Sequence, residues 1–147
     1  MNGESQTKKP GPGAGASTAT DDGVAGTEPL FDHEKLDVYR VARAFFQLVQ
    51  PMLKRTLPRD TRDPLDRASL SIITNIAEGA GKTARSDKQR IYEIARGSAS
   101  ECAGILDTMQ LRGFITARQY TEARAPLLRV VQMLSRLCGV PRIVRRP

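Results

Sequence analysis

From residue 34 onward the chain carries four apolar stripes at helical spacing, each followed by glycine or proline. In the second stripe, Leu65, Ser69, Ile72 and Ile76 are separated by steps of four, three and four residues, which is the pattern of a helix-bundle seam. No segment alternates apolar and polar residues over the length of a strand. Four helices joined by short loops predict an all-α, antiparallel, up-down-up-down four-helix bundle.

Proline positions set the expected limits of the first two helices. Helix one is predicted over residues 34–56, with a kink or break at Pro51 because proline cannot donate the helical hydrogen bond. Helix two is predicted to begin at Asp63-Pro64, where proline at the first helical position misses no amide, and to end at Gly79 and Gly81. The apolar face expected for helix one comprises Leu36, Tyr39, Phe45, Leu48 and Met52.

Capping boxes predict the starts of the third and fourth helices, at residues 86–89 and 116–119. Gly113 and Gly139 are the expected stops, and Pro126 should bend helix four. The predicted inner face of helix three is Ile91, Ile94, Ser98, Cys102, Ile105 and Met109, and that of helix four is Tyr120, Ala123, Leu127, Val130, Leu134 and Leu137.

Charge is distributed unevenly along the chain. The whole sequence has a net charge of +7. Residues 1–29 hold two basic and four acidic side chains, so the remainder carries +9. We expect residues 1–30 to form a disordered tail, residues 31–140 the bundle and residues 141–147 a short basic tail. A cationic domain favours RNA, DNA or an acidic protein as a partner, and the alternative is a basic surface kept for solubility.

The cysteines and the apolar segments indicate the compartment. Cys102 and Cys138 lie far apart in apolar surroundings and form no CxxC pair, so we expect two reduced, buried thiols. The first residues contain no apolar segment typical of a signal peptide. The longest uncharged apolar stretches, 44–53 and 68–77, are too short to span a bilayer. These features predict a cytoplasmic protein without a membrane segment.

No residue constellation supports catalysis, a metal or a cofactor. Residues 79–83 resemble the end of a phosphate-binding loop, but Ile76 occupies the place of a required glycine and a helix, rather than a strand, precedes them. His33 is the only histidine, and a metal site needs several convergent ligands. We therefore expect no enzyme, no catalytic residue, no metal and no cofactor.

Three motifs carry a resemblance to a known family. Residues 67–79, read as Arg-Ala-Ser-Leu-Ser-Ile-Ile-Thr-Asn-Ile-Ala-Glu-Gly, resemble the RRAxxSIxxNIAEG signature of the four helix bundle proteins of 23S ribosomal RNA intervening sequences. Residues 94–101 resemble that family's second signature and residues 36–39 its opening one. The similarity covers residues 31–139, although Ile73 stands where the family commonly has proline.

The resemblance implies a left-handed antiparallel bundle that often assembles as a ring-shaped homopentamer. It also implies kinship with the accessory variability protein of diversity-generating retroelements, a relative that binds nucleic acid and a reverse transcriptase through a basic surface. No enzymatic activity is implied, so a homo-oligomer, with RNA, DNA or a protein as its partner, is expected.

Two sets of polar residues are candidate sites. Five polar residues in the motifs at residues 67–79 and 94–101 could form a recognition or catalytic cluster. We favour a structural network because an arginine is available to neutralise a carboxylate. These five are Asn75, Glu78, Arg96, Ser98 and Glu101. Seven cations should meet at one end of the bundle and are predicted to contact nucleic acid, namely Lys82, Arg85, Lys88, Arg90, Arg142, Arg145 and Arg146.

Two other interpretations remain open for the surface of the bundle. The basic end could be an ordinary solvated surface without a partner. The protein could instead be a scaffold that binds a protein partner through apolar residues left outside the seam. The candidates for such a surface, which could equally join copies of the chain, are Phe46, Leu70, Ile73 and Val131.

Overall fold

The computed structural model describes residues 28–139 and forms a bundle of four α-helices preceded by a short 3-10 helix. Nearly all of the predicted disordered tail, and the basic tail after residue 140, lie outside the described residues. The 3-10 helix covers Asp32–Lys35, and the four helices are α1 (Asp37–Leu53), α2 (Arg59–Gly81), α3 (Arg85–Leu111) and α4 (Ala117–Leu137).

Consecutive helices pack side by side, and α4 returns to pack against α1. Arg112, just after α3, donates a hydrogen bond of 3.3 Å to the hydroxyl of Thr61 near the start of α2. The thiol of Cys138, just after α4, lies 3.8 Å from the carbonyl oxygen of Gln89 near the start of α3. These contacts join the end of one helix to the beginning of the helix beside it, and residues 28–139 contain no strand. The predicted antiparallel up-down-up-down bundle is confirmed.

The interior of the bundle is filled by one residue set from each helix. In α2 the predicted seam is confirmed, since Leu65, Ser69, Ile72 and Ile76 are all buried. Burying a large aliphatic side chain contributes about 1.5–3 kcal/mol, so packing of these faces is the main source of stability. The largest fully buried apolar side chains are Phe45, Leu65, Ile72, Ile76, Leu106, Met109, Leu127 and Leu134.

The predicted inner face of α3 is confirmed in part, since Ile91, Cys102 and Met109 are buried and the other three residues are not. Ile94 is 44% exposed, and Ser98 and Ile105 are only partly buried. Ala95 and Ala99 occupy the centre of the buried face instead. Small residues at the centre let neighbouring helices approach closely, so the larger apolar side chains are displaced to the border of the interface with α2.

The proline residues leave α1 and α4 continuous. Pro51 lies inside the last turn of α1, which ends at Leu53, three residues before the predicted limit. The helix α4 continues through Pro126. Leu48 and Leu137, both predicted inside, are 38% and 39% exposed.

Three of the predicted helix starts are wrong. Helix α1 begins at Asp37, after the 3-10 helix, and not at residue 34. Pro58, whose φ is −55°, precedes α2, so the helix begins at Arg59 and Pro64 lies inside it. Proline so near the start removes one helical hydrogen bond, which the rest of the helix tolerates. The helix α3 begins at Arg85 after Ala84, and no side chain of the described residues caps it, so the box predicted at residues 86–89 does not form.

The capping box at α4 is confirmed. The hydroxyl of Thr116 accepts from the amide of Gln119 at 3.1 Å, and the side chain of Gln119 accepts from the amide of Thr116 at 2.9 Å. The predicted end of α3 at Gly113 is also confirmed, because Gly113 has a φ of +75°, which glycine adopts without steric cost.

Candidate nucleic-acid interface

Four of the predicted nucleic-acid-binding cations lie in the loop between α2 and α3 or in the first turns of α3, and two of them are engaged by the chain itself. The ammonium of Lys82 lies 3.4 Å from the carboxylate of Glu78. Lys88 Nζ donates to the carbonyl oxygen of Ala80 at 2.9 Å and to that of Gly79 at 3.5 Å. Those carbonyls belong to the last turn of α2, so Lys88 satisfies acceptors that have no partner within their own helix.

The remaining predicted cations divide into two groups. Arg85 and Arg90 are exposed, and neither has an ion-pair partner within residues 28–139. The other three, Arg142, Arg145 and Arg146, lie outside the described residues. Of the four predicted cations that the structure describes near this loop, two are therefore available for an external phosphate.

A cleft of about 360 Å³ opens beside this loop. Lys35 of the 3-10 helix lines one side and makes an exposed ion pair of 3.1 Å with Asp32. Tyr92 lines the cleft from α3 and is itself buried. A Cβ on Gly79 would lie 2.7 Å from Tyr92 Cε1, so the ring packs directly on the α2 backbone. The sequence predicted Gly79 only as a helix stop and missed this contact.

The five polar residues of the motifs at residues 67–79 and 94–101 do not form one network. Asn75 donates to the hydroxyl of Ser71 at 3.0 Å and to the Ser71 carbonyl at 2.8 Å. The hydroxyls of Ser71 and Ser98 lie 2.7 Å apart across the α2–α3 contact. Ser71, which was not among the predicted residues, therefore joins two of them. Its place inside the motif at residues 67–79 was the only signal for it in the sequence.

The charged members of that set lie elsewhere. Arg96 Nε donates to the Ser135 hydroxyl at 2.7 Å, which ties α3 to α4. Arg96 was predicted to neutralise a carboxylate. Among the described residues its side chain binds this hydroxyl instead, so that prediction is wrong. Glu78 pairs with Lys82, and Glu101 is exposed. The hydrogen bonds of Ser98 and Arg96 thus join α3 to α2 and to α4, respectively.

Charge is segregated between the two halves of the bundle. Helices α2 and α3 carry seven basic and eight acidic side chains, a net charge of −1. Helices α1 and α4 carry six basic and two acidic side chains, a net charge of +4. A count of charge by helix could have found this difference, whereas the prediction rested on the charge of one loop and of the whole domain. The basic residues are Arg40, Arg43, Arg118, Arg124, Arg129 and Arg136, and the acids are Asp37 and Glu122.

The titratable side chains of the interior are held in their protonated forms. Burial raises the pKa of the Cys102 thiol to about 12, with a smaller contribution from the carboxylate of Glu101. Burial also raises the pKa values of Tyr92 and Cys138. Both cysteines are free and buried, as expected. Protonated, buried thiols are poor nucleophiles.

The single histidine lies in an aromatic cluster. The ring centroid of His33 is 5.6 Å from that of Phe31 and 4.5 Å from that of Tyr39. Within residues 28–139 no three histidine, cysteine or carboxylate side chains come together in a way that could hold a metal ion. Nor does this part of the chain contain a helix with the length and apolar character needed to cross a membrane.

The fold and surface define a small, all-helical, four-helix-bundle protein with a segregated surface charge. The model of one protein family, the 23S rRNA-intervening sequence protein, matches residues 34–136, which is well over half of the chain. The chain belongs to this family, and the resemblance inferred from the three motifs is confirmed. No curated protein matches the sequence.

Proposed function

We propose that the protein is a non-enzymatic, oligomeric accessory protein of the cytoplasm that binds nucleic acid through a basic surface. The observation that carries the proposal is the excess of cations, since residues 28–139 contain 18 basic and 13 acidic side chains. A nucleic acid is a dense polyanion, and neutralising its phosphates releases counterions, which drives association. The absence of catalysis is supported by interior thiols that stay protonated and by polar side chains engaged in helix packing.

Binding to mixed RNA and to mixed DNA at two salt concentrations tests this proposal. We expect binding at low salt that weakens as salt is added, because each released counterion makes the affinity depend on salt. The same preparation should be measured for mass and for its ratio of absorbance in the nucleic-acid and protein bands, which reports co-purified nucleic acid. An absence of binding at low salt, or an affinity that does not change with salt, would contradict the electrostatic mechanism.

The oligomeric part of the proposal is supported by apolar side chains on the neutral half of the bundle. Leu70 of α2 is 50% exposed and Ile94 of α3 is 44% exposed, and the Ser71–Ser98 contact places them on adjacent helices about 7.5 Å apart along the axis. The other predicted candidates, Phe46, Ile73 and Val131, are partly buried. Family resemblance favours a ring of five, so we expect a mass about five times the chain mass of 16.1 kDa.

Light scattering on the Ile94→Glu variant tests this interface. A charge placed there should lower the mass, because an unpaired carboxylate would be buried against the second chain. The matched control is Leu111→Glu at the end of α3, where the leucine is 88% exposed and should leave the mass unchanged. An equal mass for wild type and Ile94→Glu, or a monomeric wild type, would contradict assembly through this half of the bundle.

A second candidate function is that of a scaffold for a different protein. The same exposed Leu70 and Ile94 favour it, because large apolar side chains exposed on one half of a bundle are candidates for a protein-binding site. Copies of the chain and a different protein would then compete for one face. A pull-down that recovers only nucleic acid, with no protein other than the chain itself, would count against the scaffold.

A further inference from the structure

Helices α1 and α4 form a surface whose charge differs from that of the rest of the bundle. They run in opposite directions, since the first residues of α1 and the last residues of α4 line one open cleft of about 270 Å³. Asp37 and Val38 contribute from α1, and Met133 and Arg136 contribute from α4. The buried residues of both helices point into the core, so the exposed arginines lie on the opposite, outer side.

Four arginines share this outer side at similar heights. Arg129 and Arg136 are seven residues apart on α4, so they lie on one stripe with a separation of about 10.5 Å along the axis. From the same cleft, α1 extends to Arg40 and then to Arg43, about 9 Å beyond Asp37. Antiparallel packing therefore places the α1 arginines between the levels of Arg136 and Arg129. We call Arg40, Arg43, Arg129 and Arg136 the α1–α4 surface.

Little negative charge offsets this surface. Asp37 is 3.3 Å from Arg40, but both side chains are largely exposed, and such pairs contribute little to stability and are easily exchanged. Glu122 is the acid of α4, and it pairs with Arg118 at 2.9 Å. It lies seven residues, or about 10.5 Å along the axis, before Arg129 and so does not offset that arginine directly. Within residues 28–139, Arg43, Arg129 and Arg136 form no ion pair. Of the four predicted cations near the loop between α2 and α3, by contrast, two are engaged.

Leu128 is 42% exposed, but the glutamine and alanine side chains near the arginines suit a phosphate backbone. Gln47 and Gln132 are exposed and can donate amide hydrogen bonds, while Ala44 and Ala125 leave room for close approach. No aromatic side chain of the described residues is exposed on α1 or α4, so neither base stacking nor an aromatic anchor for a protein partner is provided. The ligand should be held by its phosphates, with little dependence on base sequence.

We infer that the α1–α4 surface, rather than the loop between α2 and α3, is the main contact for the phosphate backbone of a nucleic acid. This inference rests on the proposed function and adds the location and the mode of binding. Each arginine that contacts a phosphate should contribute about one unit to the slope of log affinity against log salt.

The experiment compares two variants that remove the same charge. The first is the triple variant Arg43→Gln, Arg129→Gln and Arg136→Gln, and the second is the control, Arg67→Gln, Arg85→Gln and Arg90→Gln, on α2 and α3. The probes are duplex RNA and duplex DNA of one sequence and about two helical turns, titrated over a range of salt concentrations. All six side chains lie at least partly in solvent, so urea unfolding should show that both variants fold.

We expect the first variant to lose on the order of 100-fold in affinity at about 0.1 M salt and about three units of slope, while the control changes several-fold at most. Comparable losses for RNA and DNA would support phosphate recognition. If the control loses as much as the first variant, or more, the inference is overturned although the proposed function stands. If wild type binds neither probe at low salt, the proposed function itself fails.

Discussion

The contact between Gly79 and Tyr92 is the feature of the fold that a single methyl group tests most directly. In Gly79→Ala the new Cβ would lie 2.7 Å from Tyr92 Cε1 and 2.8 Å from Cδ1, whereas ordinary van der Waals contacts of a Cβ are 3.4–4 Å. Tyr92 is only 5% exposed, so its ring cannot move into solvent without leaving the core. The substitution must therefore shift either the ring or the α2 backbone.

The size of the effect follows from two opposing contributions. Overpacking a well-filled interior costs about 1–3 kcal/mol. Replacing glycine by alanine in a helix stabilises it by about 0.5–1 kcal/mol, and the gain is smaller near the end of α2, where Gly79 lies. We expect a net loss of about 1–2 kcal/mol, which corresponds to a fall of about 4–8 °C in Tm for a domain of this size.

Urea unfolding followed by far-UV circular dichroism measures this loss at one fixed protein concentration, because assembly would make stability depend on concentration. The matched control is Gly81→Ala at the end of the same helix, where no atom of the described neighbours lies within 4 Å of the new Cβ and the midpoint should not fall. In the double variant Gly79→Ala with Tyr92→Leu, part of the loss should be recovered because the ring is absent. If Gly79→Ala matches or exceeds the wild-type midpoint, the reasoning about close packing is refuted.

Three further predictions concern the helix cap, the helix contact and the buried thiol. Thr116→Ala should lower the free energy of unfolding by about 1 kcal/mol because the capping box is lost, whereas Thr121→Ala, inside the same helix, should change it much less; urea midpoints of the two variants decide this. Ser71→Ala should cost about 1 kcal/mol, and adding Ser98→Ala should cost less than the sum, as a double-mutant cycle would measure. Burial raises the pKa of Cys102 from 9.0 to about 12, so the unfolded chain loses this proton at a lower pH than the folded chain does. Stability should therefore fall as the pH rises from about 9 towards 12. A Cys102→Ala variant should show a smaller fall in its urea midpoint between pH 8 and pH 10.

The fold could be predicted from the sequence where large side chains alone mark the buried face. In α2, isoleucine and leucine define the seam, and Ser69 fits within it because its hydroxyl donates to the Asp66 carbonyl at 3.0 Å. In α3 the same spacing rule selected Ile94, whereas the buried centre consists of Ala95 and Ala99. Alanine contributes little to an apolar pattern, so periodicity cannot reveal a face that is buried because its residues are small.

The candidate site was harder to predict because the sequence shows which side chains are charged but not which of them are already engaged by other groups of the chain. The sequence shows four cations around one loop, but folding brings Lys88 to carbonyl groups eight and nine residues earlier in the chain. Such a contact depends on where α2 ends and how α3 leaves it, and the predicted start of α3 was itself wrong. Arg129 and Arg136, by contrast, share a stripe because they are seven residues apart, which the sequence alone could have indicated.

Segregated charge makes the two proposed surfaces compatible with each other. Copies of a basic protein repel one another, and the Debye length at physiological salt is about 8 Å. If copies meet through α2 and α3, the facing surfaces are close to neutral, and the α1–α4 surface of each copy lies one helix layer further out, about 8–10 Å away. Most of the repulsion is then screened, while every basic surface stays open to phosphates.

Two glycines on α3 favour this arrangement over the opposite one. A Cβ added at Gly97 or Gly104 would meet no atom of the described neighbours within 4 Å, so both positions allow the close approach of a second helix on the neutral side. Assembly through α1 and α4 would instead bury Arg43, Arg129 and Arg136 against a second copy. The desolvation of unpaired charges opposes that contact, so the basic half of the bundle should face solvent and the nucleic acid.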